Sequence, residues 1–172
     1  MIPIHAIETE RLMLTPWDEE AIAALHTMHN SPDVQRYLDA KGLGWSRAKA
    51  RERVTGWQAE FATLGLGKFP LRRREDGAFV GRAGFSVIDD MAPELGYSLD
   101  AAYWGRGYAT EIAAALRDWY FQTRDEDHFI AFAHVDNAAS QRILEKLGMM
   151  RTHTAEIADM PHQFYVLYRT AR

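Results

Sequence analysis

The sequence predicts an α+β domain: a mixed, mostly antiparallel twisted sheet of about six or seven strands flanked by helices, with one parallel strand pair. Two observations carry this. Residues 1–99 read as helices followed by short alternating strands joined by tight turns, the pattern of an antiparallel meander. Residues 94–135 read as strand, glycine-rich turn, helix and apolar strand, which is a βαβ unit with a right-handed crossover.

Taken in order, residues 11–16 alternate polar and apolar and stop at Pro16, giving a first strand. Asp18 caps a helix with Ile22, Leu25 and Met28 on one face. Asn30-Ser31-Pro32-Asp33 interrupts it and opens a short helical piece through Tyr37. Ser46 is the N-cap of a third helix running to about Thr63, with Val54, Trp57 and Phe61 aligned, and Gly65 and Gly67 end it. Strands are expected at residues 68–74 and 79–88 around an Asp76-Gly77 hairpin turn, then at 94–99. A helix over residues 107–122 leads to the strand Phe129-Ile130-Ala131-Phe132-Ala133-His134-Val135, whose continuous apolar run predicts cover on both faces. Asn137 starts a last helix that stops at Leu147-Gly148, and residues 149–157 and 163–169 are final strands. Arg72-Arg73-Arg74 reads as a solvated strand surface. No repeat or linker interrupts the chain, so residues 1–172 are expected to form a single domain.

Composition narrows the functions. With 172 residues, 47% hydrophobic and 26% charged, the chain is typical of a globular protein able to bury its own core. It has no cysteine, which excludes disulfides, thiolate zinc sites and cysteine nucleophiles. A net charge of −4 argues against a broad nucleic-acid footprint. The opening residues lack the charged-then-apolar pattern of a signal peptide, and no apolar run reaches the ~20 residues of a membrane span, so a cytoplasmic protein without membrane contact is expected. The seven histidines show no metal-ligand spacing, so no metal is expected.

Trp104-Gly105-Arg106-Gly107-Tyr108-Ala109-Thr110 stands where a strand ends and a helix begins. A helix start offers unpaired N–H groups and the positive end of the macrodipole, and glycine lets a ligand approach the backbone. That is the chemistry of a phosphate or diphosphate seat, and Arg106 adds charge. Two glycines alone equally suit a plain tight turn. The turn lacks the Gly-Lys-Ser/Thr ending of a P-loop and is not Gly-x-Gly-x-x-Gly.

The second segment, Asp136-Asn137-x-x-Ser140-x-x-x-Leu144-x-Lys146-Leu147-Gly148, is more specific. Asn137 is a natural N-cap, and Ser140 lies in the first turn beside the carboxyl end of a buried strand, where ligands bind in α/β units. With the glycine turn, this segment closely resembles the two cofactor motifs of the GNAT superfamily of N-acetyltransferases. Glu8-Thr9-Glu10-Arg11-Leu12 and Glu94-Leu95-Gly96-Tyr97 resemble the branch of ribosomal-protein-alanine N-acetyltransferases of the RimJ/RimL type. Trp104 stands where the broader family carries Gln or Arg, a departure that looks usual in that branch. The resemblance implies that the backbone of Trp104, Gly105, Arg106, Gly107, Tyr108, Ala109 and Thr110 binds the pyrophosphate of acetyl-CoA. It implies that the strand at 94–99 splays from that at 129–135, with the pantetheine arm pairing near Leu99, and that Asn137 and Ser140 face the thioester end.

The chemistry implied is direct attack of a neutral primary amine on the thioester in a ternary complex, with a backbone N–H between Leu95 and Leu99 stabilising the oxyanion. Ser140 is the first candidate to protonate the leaving thiolate, against simple satisfaction of its helix turn. Tyr165 is the runner-up donor, against core packing. Glu94 is a candidate base, against an edge carboxylate in solvent; His134 is another, against a hydrogen-bonded structural histidine. The acceptor is a protein N-terminus or a small amine, met by residues 28–67, with Trp45, Trp57 and Phe61, and by the final hairpin. Monomer and homodimer are both consistent. A competing reading is a non-catalytic module that senses acyl-CoA.

Overall fold

The computed structural model describes residues 1–170. Seven strands form one sheet in the order β1-β2-β3-β4-β5-β7-β6. They are β1 (Leu12–Leu14), β2 (Gly67–Arg73), β3 (Phe79–Ser86), β4 (Glu94–Leu99), β5 (His128–His134), β6 (Met150–Ile157) and β7 (Met160–Tyr168). Every neighbouring pair is antiparallel except β4 with β5. The helices are α1 (Glu19–His29), α2 (Pro32–Gln35), α3 (Arg47–Leu64), α4 (Tyr108–Thr123) and α5 (Ala138–Lys146). The α+β expectation and its single parallel pair are met.

Local chemistry sets the helix ends. Asp18 accepts from the Ala21 N–H, Ser46 from Lys49, and Asn137 from Ser140, each satisfying a donor that the helix leaves orphaned. Gly65 takes φ 68° at the α3 C-cap, the left-handed conformation that glycine adopts without cost from a Cβ.

Strand alternation sorts side chains onto two faces. On one, Ala83, Phe85, Leu95, Phe129 and Ala131 meet Ile112, Leu116 and Tyr120 of α4 in the main core. Phe85 packs at 4.7 Å, tilted, against Tyr120 and edge-on at 5.2 Å against Phe129. Burial of each such ring is worth about 1.5–3 kcal/mol. Helices α1 and α3 cover the opposite face with a second cluster of Leu25, Met28, Val34, Val54 and Trp57.

That second face is not a plain apolar layer. Arg72 is buried and pairs with Asp18 and Glu20 at 3.2 and 3.3 Å, so of the expected solvated arginine run Arg74 is exposed, Arg73 half-buried and Arg72 enclosed. Strand β5 also departs from expectation: Phe129, Ala131 and Ala133 are buried while Ile130, Phe132 and His134 are half-buried. Its second face borders an open cavity, so only one face is fully covered.

No helix among the described residues is long and apolar enough to cross a membrane.

Candidate active site

The parallel pair creates the site. Only Glu94 and Ile130 are in register between β4 and β5. From that vertex the strands diverge towards their carboxyl ends, one leading to Gly107 at the start of α4 and the other to Asn137 at the start of α5. Each tip of the V therefore presents the positive end of a helix.

At the α4 tip, Gly105 and Gly107 take φ 73° and 79°. Both are exposed, and a Cβ at Gly105 would meet no heavy atom within 4 Å, so the backbone is open to a ligand. Arg106 is exposed, and its carbonyl accepts from the Arg11 guanidinium at 2.9 Å. Tyr108 is buried with Arg11 over its ring at 4.6 Å, and Ala109 and Thr110 are half-buried in the first turn. Trp104 is half-exposed, and its indole N–H donates to the Leu99 carbonyl at 2.9 Å, tying the turn to the end of β4.

The opening residues brace this turn from behind. Glu111, in the first turn of α4, accepts from the Thr9 hydroxyl at 2.6 Å, the Arg11 N–H at 2.9 Å and the Arg11 guanidinium at 2.7 Å. Thr9 and Arg11 thus anchor the start of α4 to the N-terminal strand.

At the α5 tip, Asn137 and Ser140 line a cavity of about 250 Å³ that reaches the vertex. The Ser140 hydroxyl lies 3.1 Å from the Tyr97 hydroxyl. Burial, opposed by the Ser140 bond, pushes the Tyr97 phenol up to about 12, so it stays protonated at neutral pH. Tyr97 closes the Glu94-Leu95-Gly96-Tyr97 motif, but only the splay of β4 from β5 brings its hydroxyl to Ser140. Tyr165 is elsewhere. It pairs with Ala131 on the face that packs under α4, and its hydroxyl is buried in the core without a hydrogen-bond partner among the described residues.

Glu94 is on the cavity wall yet only 3% exposed, so the solvated-edge alternative does not hold. Its carboxylate accepts from Lys68 Nζ at 2.9 Å. Lys68 belongs to β2, two strands away. It reaches across because the residues between, in the row Lys68–Gly84–Gly96, carry no side chains. A Cβ at Gly96 would stand 2.4 Å from Lys68 Nζ and 2.7 Å from a Glu94 oxygen. Burial lowers the Lys68 ammonium, and the Glu94 charge opposes that.

Two histidines face each other across β5 and β7, with ring centroids 5.7 Å apart. His134 Nδ1 accepts from the Asp136 N–H at 3.0 Å, so its proton is on Nε2 when neutral. His162 does the reverse. Its Nδ1 bonds the Met160 carbonyl at 2.8 Å, an acceptor only, which leaves Nε2 with a lone pair. Burial lowers the His162 imidazole, keeping it neutral at physiological pH. No sequence signal marked His162, because its value comes from a carbonyl two residues away and a register with His134.

The far wall of the cavity is formed by Tyr37, Trp45, Arg53, Arg82 and His29. Trp57 and Phe61, by contrast, pack inward, on Trp17 and Phe69 respectively. Arg82 is buried, and its Nε donates to His29 Nε2 at 3.3 Å. Burial and then the neighbouring Arg53 charge lower Arg82 to about 10, still protonated at neutral pH.

Comparison with known proteins follows the same lines. The family described as Acetyltransferase (GNAT) domain matches residues 11–150. The uncharacterized protein YkkB of Bacillus subtilis (strain 168) is 30% identical over 161 residues, spanning 91% of this chain and 92% of its own length. The uncharacterized N-acetyltransferase YoaA of the same organism is 26% identical, over 88% of this chain and 85% of its own. An acetyltransferase structure from Agrobacterium tumefaciens str. C58 superposes with a TM-score of 0.82 at 26% identity, covering 95% of this chain and 94% of that one. The RimL ribosomal L7/L12 alpha-N-protein acetyltransferase in complex with coenzyme A superposes at 0.80 with 22% identity, covering 95% and 97%, which is a likeness of fold.

Proposed function

The chain belongs to the GNAT acetyltransferase family, and from that premise we propose that it moves an acetyl group from acetyl-CoA to a primary amine by direct attack in a ternary complex. The observation that carries this is the V between β4 and β5, with a glycine turn at one tip and the Ser140–Tyr97 hydroxyl pair at the other. Acetyl-CoA supplies an activated thioester and a thiol leaving group. The N–H groups of residues 105–110 would hold its pyrophosphate, aided by the helix dipole of α4. The backbone of β4 towards Leu99, left unpaired by β5, is suited to bind an extended arm as an added strand does. Asn137, through its cap on the Ser140 N–H, keeps Ser140 at the α5 tip.

Ser140 and Tyr97 together form the proton donor to the departing sulfur. Tyr97, protonated at rest, restocks the serine across 3.1 Å and is itself reprotonated from solvent. For the amine proton, His162 has better support than Glu94. Glu94 is engaged by Lys68, whereas His162 Nε2 is a neutral acceptor in the same cavity. Glu94 holds the incoming ammonium, and His162 takes its proton. The nitrogen–carbon bond then forms as the carbon–sulfur bond breaks; the sulfur takes the Ser140 proton, and the new amide nitrogen releases its second proton to solvent. Tyr165, sealed in the core, supports packing. The acceptor is a small amine or a protein N-terminus, and a cytoplasmic setting suits both.

Thiol release from acetyl-CoA over a panel of amines and N-terminal peptides tests the reading, and acceptor-dependent release is expected. Ser140→Ala should lower kcat about 10- to 100-fold with acetyl-CoA affinity unchanged. Tight CoA binding with no release over the panel would instead leave a sensor of acyl-CoA.

A further inference from the structure

The charges of the cavity do not balance locally. Its wall holds the cations Lys68, Arg82 and Arg53 and the carboxylates Glu94 and Asp39. Lys68 and Glu94 neutralise each other at 2.9 Å. Asp39 accepts from the Lys41 and Gly44 N–H groups at 3.0 and 2.8 Å and shapes its own loop. Among the described residues, no carboxylate comes within ion-pair distance of Arg82 or Arg53.

Arg82 is 7% exposed. Among the described residues its one hydrogen-bond partner is a neutral ring, His29, which accepts from Nε and is itself fixed by parallel stacking on Trp45 at 3.6 Å, while the guanidinium lies over the Trp57 ring at 5.1 Å. Among the described residues the two terminal guanidinium nitrogens have no acceptor, and neither is sealed from the cavity. Arg72, on the adjacent strand and equally buried, provides the contrast. There the chain supplies Asp18, Glu20 and the Gly77 carbonyl. A buried guanidinium without a counter-ion is unfavourable, and the fold supplies counter-ions where no ligand is to bind. At Arg82 it instead aims a planar fork of N–H donors into the cavity that also holds Glu94 and His162. Arg53, exposed and lying over the rings of Trp45 and Trp57, extends the positive surface to the mouth.

We propose that the acetyl acceptor is an amine that also carries a carboxylate, which docks on the terminal nitrogens of Arg82 with Arg53 at the cavity mouth and leaves the amine beside Glu94 and His162. The inference rests on the acetyltransfer reading and narrows its acceptor. It places opposite charges of one small zwitterion on opposite charges of one cavity, as a free amino acid would require. A neutral peptide N-terminus would leave Arg82 without its counter-ion.

Initial rates of thiol release with free amino acids, with the same amino acids as primary amides, and with N-terminal peptides lacking acidic side chains test it. The carboxylates should exceed their amides in kcat/KM by about 10- to 100-fold, the size expected of a charged hydrogen-bonded contact. Arg82→Gln should bring the ratio close to one, and Arg82→Lys should keep part of it. Should Arg82→Gln fail to fold, judged by melting and by acetyl-CoA titration, Arg53→Gln on the exposed helix face should still shrink the ratio several-fold. Amides or neutral peptides turned over as well as carboxylates by the wild-type protein would overturn the inference and leave the acetyltransferase reading intact. If no amine releases thiol, that reading fails first. Titration of N-acetylated amino acids and their amides into the CoA-bound protein then decides the inference. Tighter binding of the carboxylates, lost in Arg82→Gln, supports it; equal binding overturns it.

Discussion

The two ends of this site are built from different materials. The turn at residues 104–110 is exposed, short in sequence and made of backbone: two glycines at positive φ and the first N–H groups of α4. The cavity wall is buried and made of long charged side chains, Lys68 from β2, Arg82 from β3 and Glu94 from β4. A backbone seat reads only features common to every copy of one ligand and tolerates little local change. A side-chain wall can be rewritten one residue at a time without moving a strand. On the proposed function, the first suits an invariant donor and the second is the place for acceptor preference.

The sharpest way to break that contrast is to remove one charge from the wall. Lys68→Met leaves Glu94 buried without its partner, a class of change that costs about 3–5 kcal/mol. Denaturant unfolding of the single variant and of Lys68→Met with Glu94→Leu measures it. The double variant should recover most of the loss, since an apolar pair of similar volume replaces a desolvated ion pair. A single variant within about 1 kcal/mol of wild type would mean that Lys68 does not hold the floor.

The turn should respond in binding more than in folding. Gly107→Glu places a side chain at φ 79° with its Cβ about van der Waals distance from Arg11, and sets a negative charge at the helix start. The left-handed conformation alone costs ~1–2 kcal/mol. With the charge opposing a phosphate, acetyl-CoA affinity should fall on the order of 100-fold by calorimetry. Unchanged affinity would remove the pyrophosphate from this turn.

The same division explains what could be read in advance. Asp18, Ser46 and Asn137 were legible as caps because each bond closes within three residues. The βαβ unit was legible because its turn, helix and strand are contiguous. Lys68 and Glu94 stand 26 residues apart, and Arg82 and His29 stand 53 apart. Their meeting depends on strand register and on Gly84 and Gly96 leaving a path across the sheet, neither of which a local pattern reports. For the same reason Arg72 read as solvated: its partners Asp18 and Glu20 arrive on another element.

The smallest effect probes the link between wall and fold through pH. Burial, then the charges of Arg82 and Arg53, push the His29 imidazole down to about 2, far below the ordinary 6.5 of the unfolded chain. The folded protein therefore refuses a proton that the unfolded chain accepts. Stability from this residue is fully present above about pH 6.5 and is lost progressively as pH falls towards the folded value, at about 1.4 kcal/mol per pH unit. His29→Gln keeps a side-chain acceptor near Arg82 but cannot titrate, so its unfolding free energy should fall less steeply between pH 6.5 and 5. Parallel slopes for the two proteins, measured by denaturant unfolding at each pH, would show that His29 takes up a proton in the folded protein, which it can do only by giving up the Arg82 Nε–H. That would make the wall soft enough to rearrange around an acceptor instead of standing preformed for it.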